Sequence, residues 1–173
     1  GLAAGKGVIV CSSTQEATDA VQRIMTAKEF GDAGMNVVIE EKLEGEEASF
    51  IAMTDGKHVI PLASCQDHKR IYDDDKGPNT GGMGAYSPTP LIDEEMHGRI
   101  MRDVMQRTVD GMRSEGRAFR GFLYAGLMIR DGVPSVLEFN ARMGDPECQP
   151  IMMRMESDLY GYMERCTAGN LDS

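Results

Sequence analysis

Two Asp-Gly pairs that lie between apolar runs constrain the fold of this chain more than any other feature. One pair, at 55–56, lies within the stretch 47–63, and the other, at 131–132, separates the runs 121–130 and 133–140. An Asp-Gly pair in this setting is typical of the two-residue turn of a β-hairpin. Hairpins join antiparallel strands, which a doubly wound parallel sheet would not show, so the sequence predicts a mixed α+β fold.

Three segments carry the signals of helices. Ser13 followed by Glu16 forms a capping box, and the apolar residues after it predict a helix over 14–30. A second apolar stripe at helical spacing, preceded by an acidic first turn, predicts a helix over 94–116. Pro146 stands where a first helical residue is expected and predicts a C-terminal helix.

Short apolar runs predict the remaining strands, and one long stretch has no periodicity. The runs indicate strands over 6–11, 37–41, 47–54 and 58–63, the last three of them antiparallel. The stretch 65–90 is interpreted as one long loop, and long ordered loops usually bind a ligand. The predicted order is therefore βαβββ, loop, αββα.

The charge balance and the cysteine spacing exclude several classes of protein. The formal net charge of -10 predicts that the chain repels polyanions, so no nucleic acid partner is expected. No apolar run approaches the roughly 18 residues that a bilayer span needs, so we expect no membrane segment. The four cysteines are far apart and lack metal-binding spacing. Reduced thiols, and hence a cytoplasmic protein, are expected.

The chain begins with a glycine-rich stretch, GLAAGKGV, in which Lys6 lies between Gly5 and Gly7. Glycine amides and a lysine suit phosphate oxygens. The stretch does not match a P-loop, because too few residues separate its glycines and Gly7 stands where that pattern has Ser or Thr. A glycine-rich flap over phosphates and a flexible turn both fit these residues.

The segment 39–47 concentrates five carboxylates between two predicted strands. One interpretation is a solvated acidic turn. The other is a hinge whose backbone pairs with the edge of a nucleotide base, while one glutamate accepts hydrogen bonds from ribose hydroxyls. Because carboxylates repel phosphates, such a segment would hold the sugar end of a nucleotide.

Glu138 and Asn140 are alternate residues of the last predicted strand, so their side chains should project from one face. Two oxygen ligands so placed suit a magnesium ion with a bound phosphate. Arg142 follows two residues later, and 144–147 leads into a helix whose amides would face the same place. Taken singly, Asn140 could be a turn former and Arg142 a surface charge, but their conjunction favours a site.

The predicted loop contains two further motifs, DHKR at 67–70 and PNTGGMG at 78–84. They combine charged donors with a glycine backbone that a small ligand can approach closely. His68 is a candidate general base, although a loop imidazole without a Ser or Cys partner is more often a hydrogen-bonding residue.

Six segments stand out together, and in chain order they are GLAAGKGV, VVIEEKLEGEEASF, QDHKR, GPNTGGMGAYSP, GFLYAGLMI and LEFNARMGDPE. Together they resemble the glycinamide ribonucleotide synthetase family of ATP-grasp ligases, over essentially all 173 residues. The resemblance implies an ATP-grasp fold with a small lobe over 1–64 and a large lobe over 65–173. It also implies that the chain is a fragment of a larger multidomain enzyme, since other domains of the family are not visible in the sequence.

The resemblance implies that the first part of the chain binds ATP. The residues expected to contact the nucleotide are Gly5, Lys6, Gly7, Glu40, Glu41, Leu43 and Glu47. The glycine-rich stretch would cover the phosphates, with Lys6 also acting in catalysis. The backbone near Glu41 and Leu43 would hold adenine, and Glu47 would hold the ribose.

The resemblance also implies a metal site and a substrate site. Glu138 and Asn140 would bind Mg²⁺ or Mn²⁺, and Arg142 would stabilise the transferred phosphoryl group or the acyl phosphate. The residues expected to help bind the two substrates are Asp67, Lys69, Asn79, Thr80, Gly81, Gly82 and Asp145. The preceding strand lacks the metal-binding acid that many ATP-grasp enzymes carry, so few protein ligands are expected.

The implied reaction joins glycine to 5-phosphoribosylamine while ATP becomes ADP and phosphate, through glycyl phosphate. Another ATP-grasp carboxylate-amine ligase or carboxylase, and a nucleotide-binding module without chemistry, are the alternatives. Because catalysis needs closely held reactants, the segment alone is expected to have little or no turnover. The oligomeric state does not follow from the sequence.

Overall fold

The computed structural model describes residues 7–73 and 76–171. The chain divides into two compact units, Gly1–Leu43 and Glu44–Ser173. The sequence placed a boundary between lobes after residue 64, and that division stays a prediction.

The first unit contains the helix α1, Thr14–Val21, which continues as a π-helical turn over Gln22–Thr26 and precedes a 3₁₀ turn over Gly31–Met35. The predicted cap is confirmed, because the Ser13 hydroxyl accepts a hydrogen bond from the Glu16 amide at 3.2 Å. The predicted helix is too long at its C-terminal end. Lys28 has a φ of 51°, a left-handed conformation that an α-helix of L-residues does not contain.

Two predicted strands of the first unit do not form in the part of it that the structure describes. Residues 7–11 and 37–41 have no regular structure, and the side chains of Val8, Val38 and Ile39 are exposed. A strand exists only where a neighbouring strand satisfies its backbone groups, and no described residue pairs with these two segments. The strands predicted over 6–11 and 37–41 are therefore wrong.

The second unit contains six strands within its described residues. They are β1 Glu46–Thr54, β2 Val59–Pro61, β3 Gln66–Tyr72, β4 Lys76–Tyr86, β5 Gly121–Arg130 and β6 Val133–Asn140. Four of them form an antiparallel sheet in the order β2-β1-β5-β6, and β3 pairs with β4. Both predicted Asp-Gly hairpins, β1–β2 and β5–β6, are confirmed.

The predicted loop at 65–90 is wrong over most of its length, because β3 and β4 form a hairpin there. The pairing is irregular, with register shifts on either side of Arg70. β4 reads KGPNTGGMGAY, whose glycines and proline disfavour a strand and whose apolar residues do not alternate. The local sequence pattern therefore could not predict this strand. A two-way backbone bridge between Ser49 and Cys65 attaches the start of β3 to β1.

One long helix covers one face of the four-stranded sheet. It comprises α2 Glu94–Ile100, a π-helical segment Met101–Gln106 and α3 Arg107–Ser114. Asp93 caps it, because its side chain accepts the Met96 amide at 2.8 Å. The fully buried residues between the helix and the sheet include Phe50, Ile100, Met105, Val109 and Leu127.

Two short helices cover the opposite face. The sequence predicted a single C-terminal helix, whereas the structure has α4 Cys148–Arg154 and α5 Leu159–Ala168. The second helix has its own N-cap, Asp158, whose side chain accepts the Tyr160 amide at 3.0 Å. No helix in residues 7–73 and 76–171 is long and apolar enough to cross a membrane.

Candidate active site

The C-terminal end of β6 brings together the two predicted metal ligands. Asn140 Nδ2 donates a hydrogen bond to Glu138 Oε1 at 3.0 Å, so the two side chains share one face of the strand. Opposite them on β5 lie Gly126, paired with Glu138, and Tyr124, paired with Asn140. A β-carbon on Gly126 would lie 3.3 Å from the Glu138 Cγ, so glycine leaves space for that carboxylate. The predicted convergence is present, although the ligand role itself stays a prediction.

The donor chemistry of this pair fits a hard divalent cation. A carboxylate and an amide oxygen suit Mg²⁺ or Mn²⁺, and Mg²⁺ commonly takes one or two protein ligands and fills its remaining positions with phosphate and water. Glu138 is exposed and Asn140 is half-buried, so both are accessible to a ligand. Among the described residues, no three His, Cys, Asp or Glu side chains form a cluster able to hold a metal ion. A cation at this pair would therefore depend on a bound phosphate for further ligands.

Arg142 lies just beyond the pair and is held on two sides. Its Nη1 donates to the Met143 carbonyl oxygen at 2.9 Å, and its guanidinium carbon lies 6.0 Å from the centroid of the Tyr124 ring. That distance is at the outer limit of a cation–π contact. Arg142 is exposed, so its charge remains available to an anion.

Beneath Arg142 lies a buried group of three hydrogen-bonded side chains, Ser49, Tyr124 and Glu147, here called the hydroxyl–carboxylate cluster. Glu147 Oε1 accepts hydrogen bonds from Ser49 Oγ at 2.8 Å and from Tyr124 Oη at 2.9 Å, and the two hydroxyl oxygens are 2.8 Å apart. Burial, together with the Glu147 charge, raises the pKa of Tyr124, so its hydroxyl stays protonated. Sequence reasoning missed this cluster.

Lys69 joins two of the acidic residues that the sequence singled out. Its Nζ lies 3.6 Å from Asp67 Oδ2 and 3.4 Å from Glu47 Oε2. Burial raises the pKa of Asp67, and the Lys69 ammonium partly offsets this rise. Burial alone would lower the pKa of Lys69, but Asp67 and Glu47 outweigh it and the pKa is raised. The expected ribose ligand, Glu47, thus neighbours two expected substrate ligands.

The β4 residues named from the sequence approach the 144–147 segment. Thr80 Oγ1 donates to the Lys69 carbonyl oxygen at 2.7 Å and accepts the Gly82 amide at 3.1 Å. Gly82 has a φ of 125°, and a β-carbon there would lie 2.8 Å from the Pro146 Cδ. Only glycine therefore permits this close approach.

The other predicted substrate residues are placed less fully. The backbone of Asn79 is paired with Arg70, and Gly81 lies within β4. Asp145 Oδ1 accepts a hydrogen bond from Gln149 Nε2 at 3.4 Å and remains exposed. The structure thus brings Asp145 to the same end of the unit as Gly82.

Most of the predicted nucleotide residues belong to the first unit. Gly5 and Lys6 lie outside the described residues. Gly7, Glu40 and Glu41 are exposed, and Leu43 is partly buried, in stretches without regular structure. Their expected contacts with ATP stay predictions.

The sequence is similar to one enzyme family along most of its length. The family profile of the phosphoribosylglycinamide synthetase ATP-grasp (A) domain matches residues 1–148. Curated proteins named phosphoribosylamine–glycine ligase from Xanthomonas axonopodis pv. citri and Vibrio cholerae are 60% and 58% identical over 173 residues. Each match covers 99% of this chain but 40% of the relative, so the chain spans about 40% of the length of these relatives.

Solved structures share the fold. The crystal structure of phosphoribosylamine–glycine ligase from Thermotoga maritima matches with a TM-score of 0.83 and 35% identity, over 98% of this chain and 43% of that one. An L-amino acid ligase from Bacillus licheniformis matches over 95% of this chain and 39% of that one, with a TM-score of 0.60 and 20% identity. At that identity the likeness shows the fold alone.

Proposed function

Because the chain belongs to the phosphoribosylglycinamide synthetase ATP-grasp (A) domain family, we propose that it is the core of a ligase that joins glycine to 5-phosphoribosylamine. Its α+β ATP-grasp fold is the one that the sequence predicted. The observation that carries the proposal is the convergence of Glu138 and Asn140, 3.0 Å apart, beside Arg142. Since the chain spans about 40% of its curated relatives, the activity is proposed for the full-length gene product.

The proposed chemistry has two transfers. A carboxylate oxygen of glycine attacks the γ-phosphorus of ATP, the bond from that phosphorus to the bridging oxygen breaks, and ADP leaves. The amine nitrogen of 5-phosphoribosylamine then attacks the carbonyl carbon of glycyl phosphate, loses a proton and expels phosphate. The product is glycinamide ribonucleotide, and each step transfers an activated group to a nucleophile held next to it.

Negative charge accumulates on phosphoryl oxygens in both transfers, and the site offers cations there. Glu138 and Asn140 would hold Mg²⁺ or Mn²⁺, which would supply positive charge to the phosphate oxygens of ATP. Arg142 would donate to the transferred phosphoryl group and then to the acyl phosphate. Its exposure and its place over the Tyr124 ring support this role.

The proposed nucleotide contacts are those that the family resemblance implies. In this proposal Gly5, Lys6 and Gly7 cover the phosphates, with Lys6 also catalytic, and the backbone of 40–43 holds adenine. Glu47 would accept the ribose hydroxyls. Its side chain is half-exposed although Lys69 contacts it, so carboxylate acceptor capacity remains for a ligand.

The substrates would bind where β3 and β4 approach the 144–147 segment. Lys69 supplies a cation and Asp67 an anion, which suit the carboxylate and the amine of glycine. The Thr80–Gly82 backbone and Asp145 would complete the site, with Asn79 and Gly81 beside them. The close contact between Gly82 and Pro146 supports a shared pocket, because it fixes β4 next to Asp145.

The remaining attributes follow from the proposed reaction. The four cysteines are free thiols, which a reducing compartment maintains, so we propose a cytoplasmic enzyme whose further domains complete the substrate site. The segment of 173 residues would have little turnover, because part of the nucleotide cleft would come from those domains.

Measuring ADP release by the full-length gene product tests the function. We expect release that depends on both glycine and 5-phosphoribosylamine, with glycinamide ribonucleotide as the product. Glu138→Gln should lower kcat at least about 100-fold, because it removes the charge of a metal ligand. The matched control is Glu115→Gln, at the exposed C-terminal end of α3, which should keep full activity. ADP release driven by bicarbonate, or none with any carboxylate, would contradict the proposal.

A further inference from the structure

The hydroxyl–carboxylate cluster has no assigned role in the proposed reaction, although its Tyr124 ring lies under Arg142 and its Glu147 ends the 144–147 segment. Ser49, Tyr124 and Glu147 are 1%, 5% and 2% exposed, and they come from β1, β5 and the residue that precedes α4. We propose that this cluster is a positioning unit, in which Glu147 anchors Tyr124 so that Tyr124 and the 144–147 backbone hold Arg142 and Asp145 in place for catalysis. The inference rests on the proposed function and adds positioning residues to it.

The cost of burying Glu147 argues against a purely structural purpose. A buried carboxylate loses its hydration, and replacement of a buried charge by an apolar residue often stabilises a protein. Here both hydroxyls donate to the same carboxylate oxygen, Oε1. Apolar side chains surround the cluster, among them Ile51 and Ile151. Packing alone would therefore be served as well by an apolar residue.

Tyr124 connects the cluster to Arg142. Its hydroxyl is fixed by Glu147 at 2.9 Å, and its ring lies under the guanidinium of Arg142. It also stands opposite Asn140 in the β5–β6 register, directly beside the expected metal ligands. The hydrogen bond at the hydroxyl fixes where the ring lies, and the position of the ring sets where the cation above it rests.

Glu147 also contacts Gly144, at the start of its own 144–147 segment. A β-carbon on Gly144 would lie 2.3 Å from Glu147 Oε2, so the carboxylate occupies the place that any other side chain would take. The Cys148 amide donates to the Gly144 carbonyl oxygen at 3.0 Å, which closes the same turn. Pro146 in turn contacts Gly82 of β4. Movement of the carboxylate would thus shift Asp145 and the part of β4 around Gly82 together.

The test separates positioning from stability with a double-mutant cycle in the full-length gene product. Tyr124→Phe keeps the ring and removes only the hydroxyl, and Arg142→Ala removes the side chain on which the ring is proposed to act. In the native background Tyr124→Phe should lower kcat about 10-fold while the KM for ATP stays within about twofold. In the Arg142→Ala background the same change should lower kcat less than about twofold, because the two residues act as one unit.

The chain offers a matched control. Tyr162 of α5 packs against the core cluster that contains Met53, and the guanidinium carbon of Arg165 lies 5.8 Å from the centroid of its ring. Tyr162→Phe removes an equivalent hydroxyl and should leave kcat unchanged. Glu147→Gln should match Tyr124→Phe in its effect on kcat, and Ser49→Ala, the mildest change, should lower kcat less.

Each outcome decides the inference. The role is merely structural if Tyr124→Phe lowers kcat by the same factor in the native and the Arg142→Ala backgrounds. It is also merely structural if Tyr124→Phe lowers the unfolding midpoint but not the kcat of the folded enzyme. If Glu147→Gln does not fold, Tyr124→Phe and Ser49→Ala still decide between the two. A native enzyme whose ADP release depends on another carboxylate would refute the proposed function instead, and the cycle would then be measured on that release. A native enzyme with no carboxylate-dependent ADP release would overturn both the proposed function and this inference.

Discussion

Asp55 shows how much stability one buried carboxylate supplies to this fold. The residue is 3% exposed in the β1–β2 turn, and Oδ1 accepts the amides of Lys57 at 2.9 Å and His58 at 2.7 Å. Oδ2 accepts the Leu171 amide at 3.0 Å and contacts the His58 ring at 2.9 Å. One side chain thus joins the turn to the segment after α5.

Asp55→Asn should lower the free energy of unfolding by about 2–4 kcal/mol. The new NH₂ group would face the buried Leu171 amide, which costs about 1–3 kcal/mol for the unsatisfied donor, and the remaining bonds would lose their charge. With an m-value near 2 kcal/mol/M, the urea midpoint of the 173-residue chain should fall by about 1–2 M. Unfolding followed by circular dichroism measures this shift.

The second hairpin turn supplies the control for this prediction. Asp131 occupies the equivalent Asp-Gly turn, but its side chain is 90% exposed. Its ion pair is with Arg130, whose Nε lies 3.5 Å from Asp131 Oδ2. An exposed ion pair contributes little, so Asp131→Asn should change the unfolding free energy by less than about 0.5 kcal/mol. If the two substitutions shifted the midpoint equally, the reasoning from buried hydrogen bonds would be refuted.

The pH dependence of the Asp55 effect has a defined sign. Burial alone would raise the pKa of Asp55, but the hydrogen bonds from His58, Leu171 and Lys57 outweigh burial and lower it. A carboxyl group with a lowered pKa stabilises the fold fully above its ordinary pKa of about 4 and loses that contribution as the pH falls. The difference between the native chain and Asp55→Asn should therefore narrow below about pH 4.

Two further predictions concern the proposed site. Gly144→Ala should lower kcat at least about 10-fold, because its β-carbon would displace the Glu147 carboxylate. The control is Gly98→Ala, which has open space around its α-carbon and should keep kcat while stabilising the chain by about 0.5–1 kcal/mol. Steady-state kinetics measures kcat, and urea unfolding measures the stability of both variants. Lys69→Met should raise the pKa of Asp67 further and move the acidic limb of the kcat/KM profile to higher pH, while Lys57→Met, at an exposed lysine, should leave the profile in place. An unshifted acidic limb in Lys69→Met would contradict the second.

The sequence predicted those parts of the fold that depend on neighbouring residues. The β5–β6 hairpin and its turn were predictable because the Asp-Gly pair and the apolar runs lie within 121–140. The β3–β4 hairpin was not, because bulges and glycines remove the alternation on which strand prediction depends. The runs at 6–11 and 37–41 failed for the opposite reason, since an apolar run predicts a strand without showing that a partner strand exists.

The residues of the candidate site likewise include some that the sequence could predict and some that it could not. Glu138 and Asn140 were predictable because residues two apart in a strand share a face. Ser49, Tyr124 and Glu147 are far apart in the chain, and they meet only because β1 pairs with β5 and the residue before α4 folds back beneath both. A glutamate at the start of a helix is so often a surface residue that its burial could not be read from the sequence.

The affinity of the full-length gene product for Mn²⁺ with ATP tests the central claim most directly. Electron paramagnetic resonance of free Mn²⁺, titrated in the presence of ATP, gives this affinity without requiring turnover. Glu138→Gln keeps the acceptor for Asn140 but removes the charge, and it should weaken Mn²⁺–ATP binding at least about 10-fold. Glu115→Gln should leave the affinity unchanged. Equal affinities for the native protein and Glu138→Gln would contradict the claim that this pair holds the nucleotide-bound metal ion.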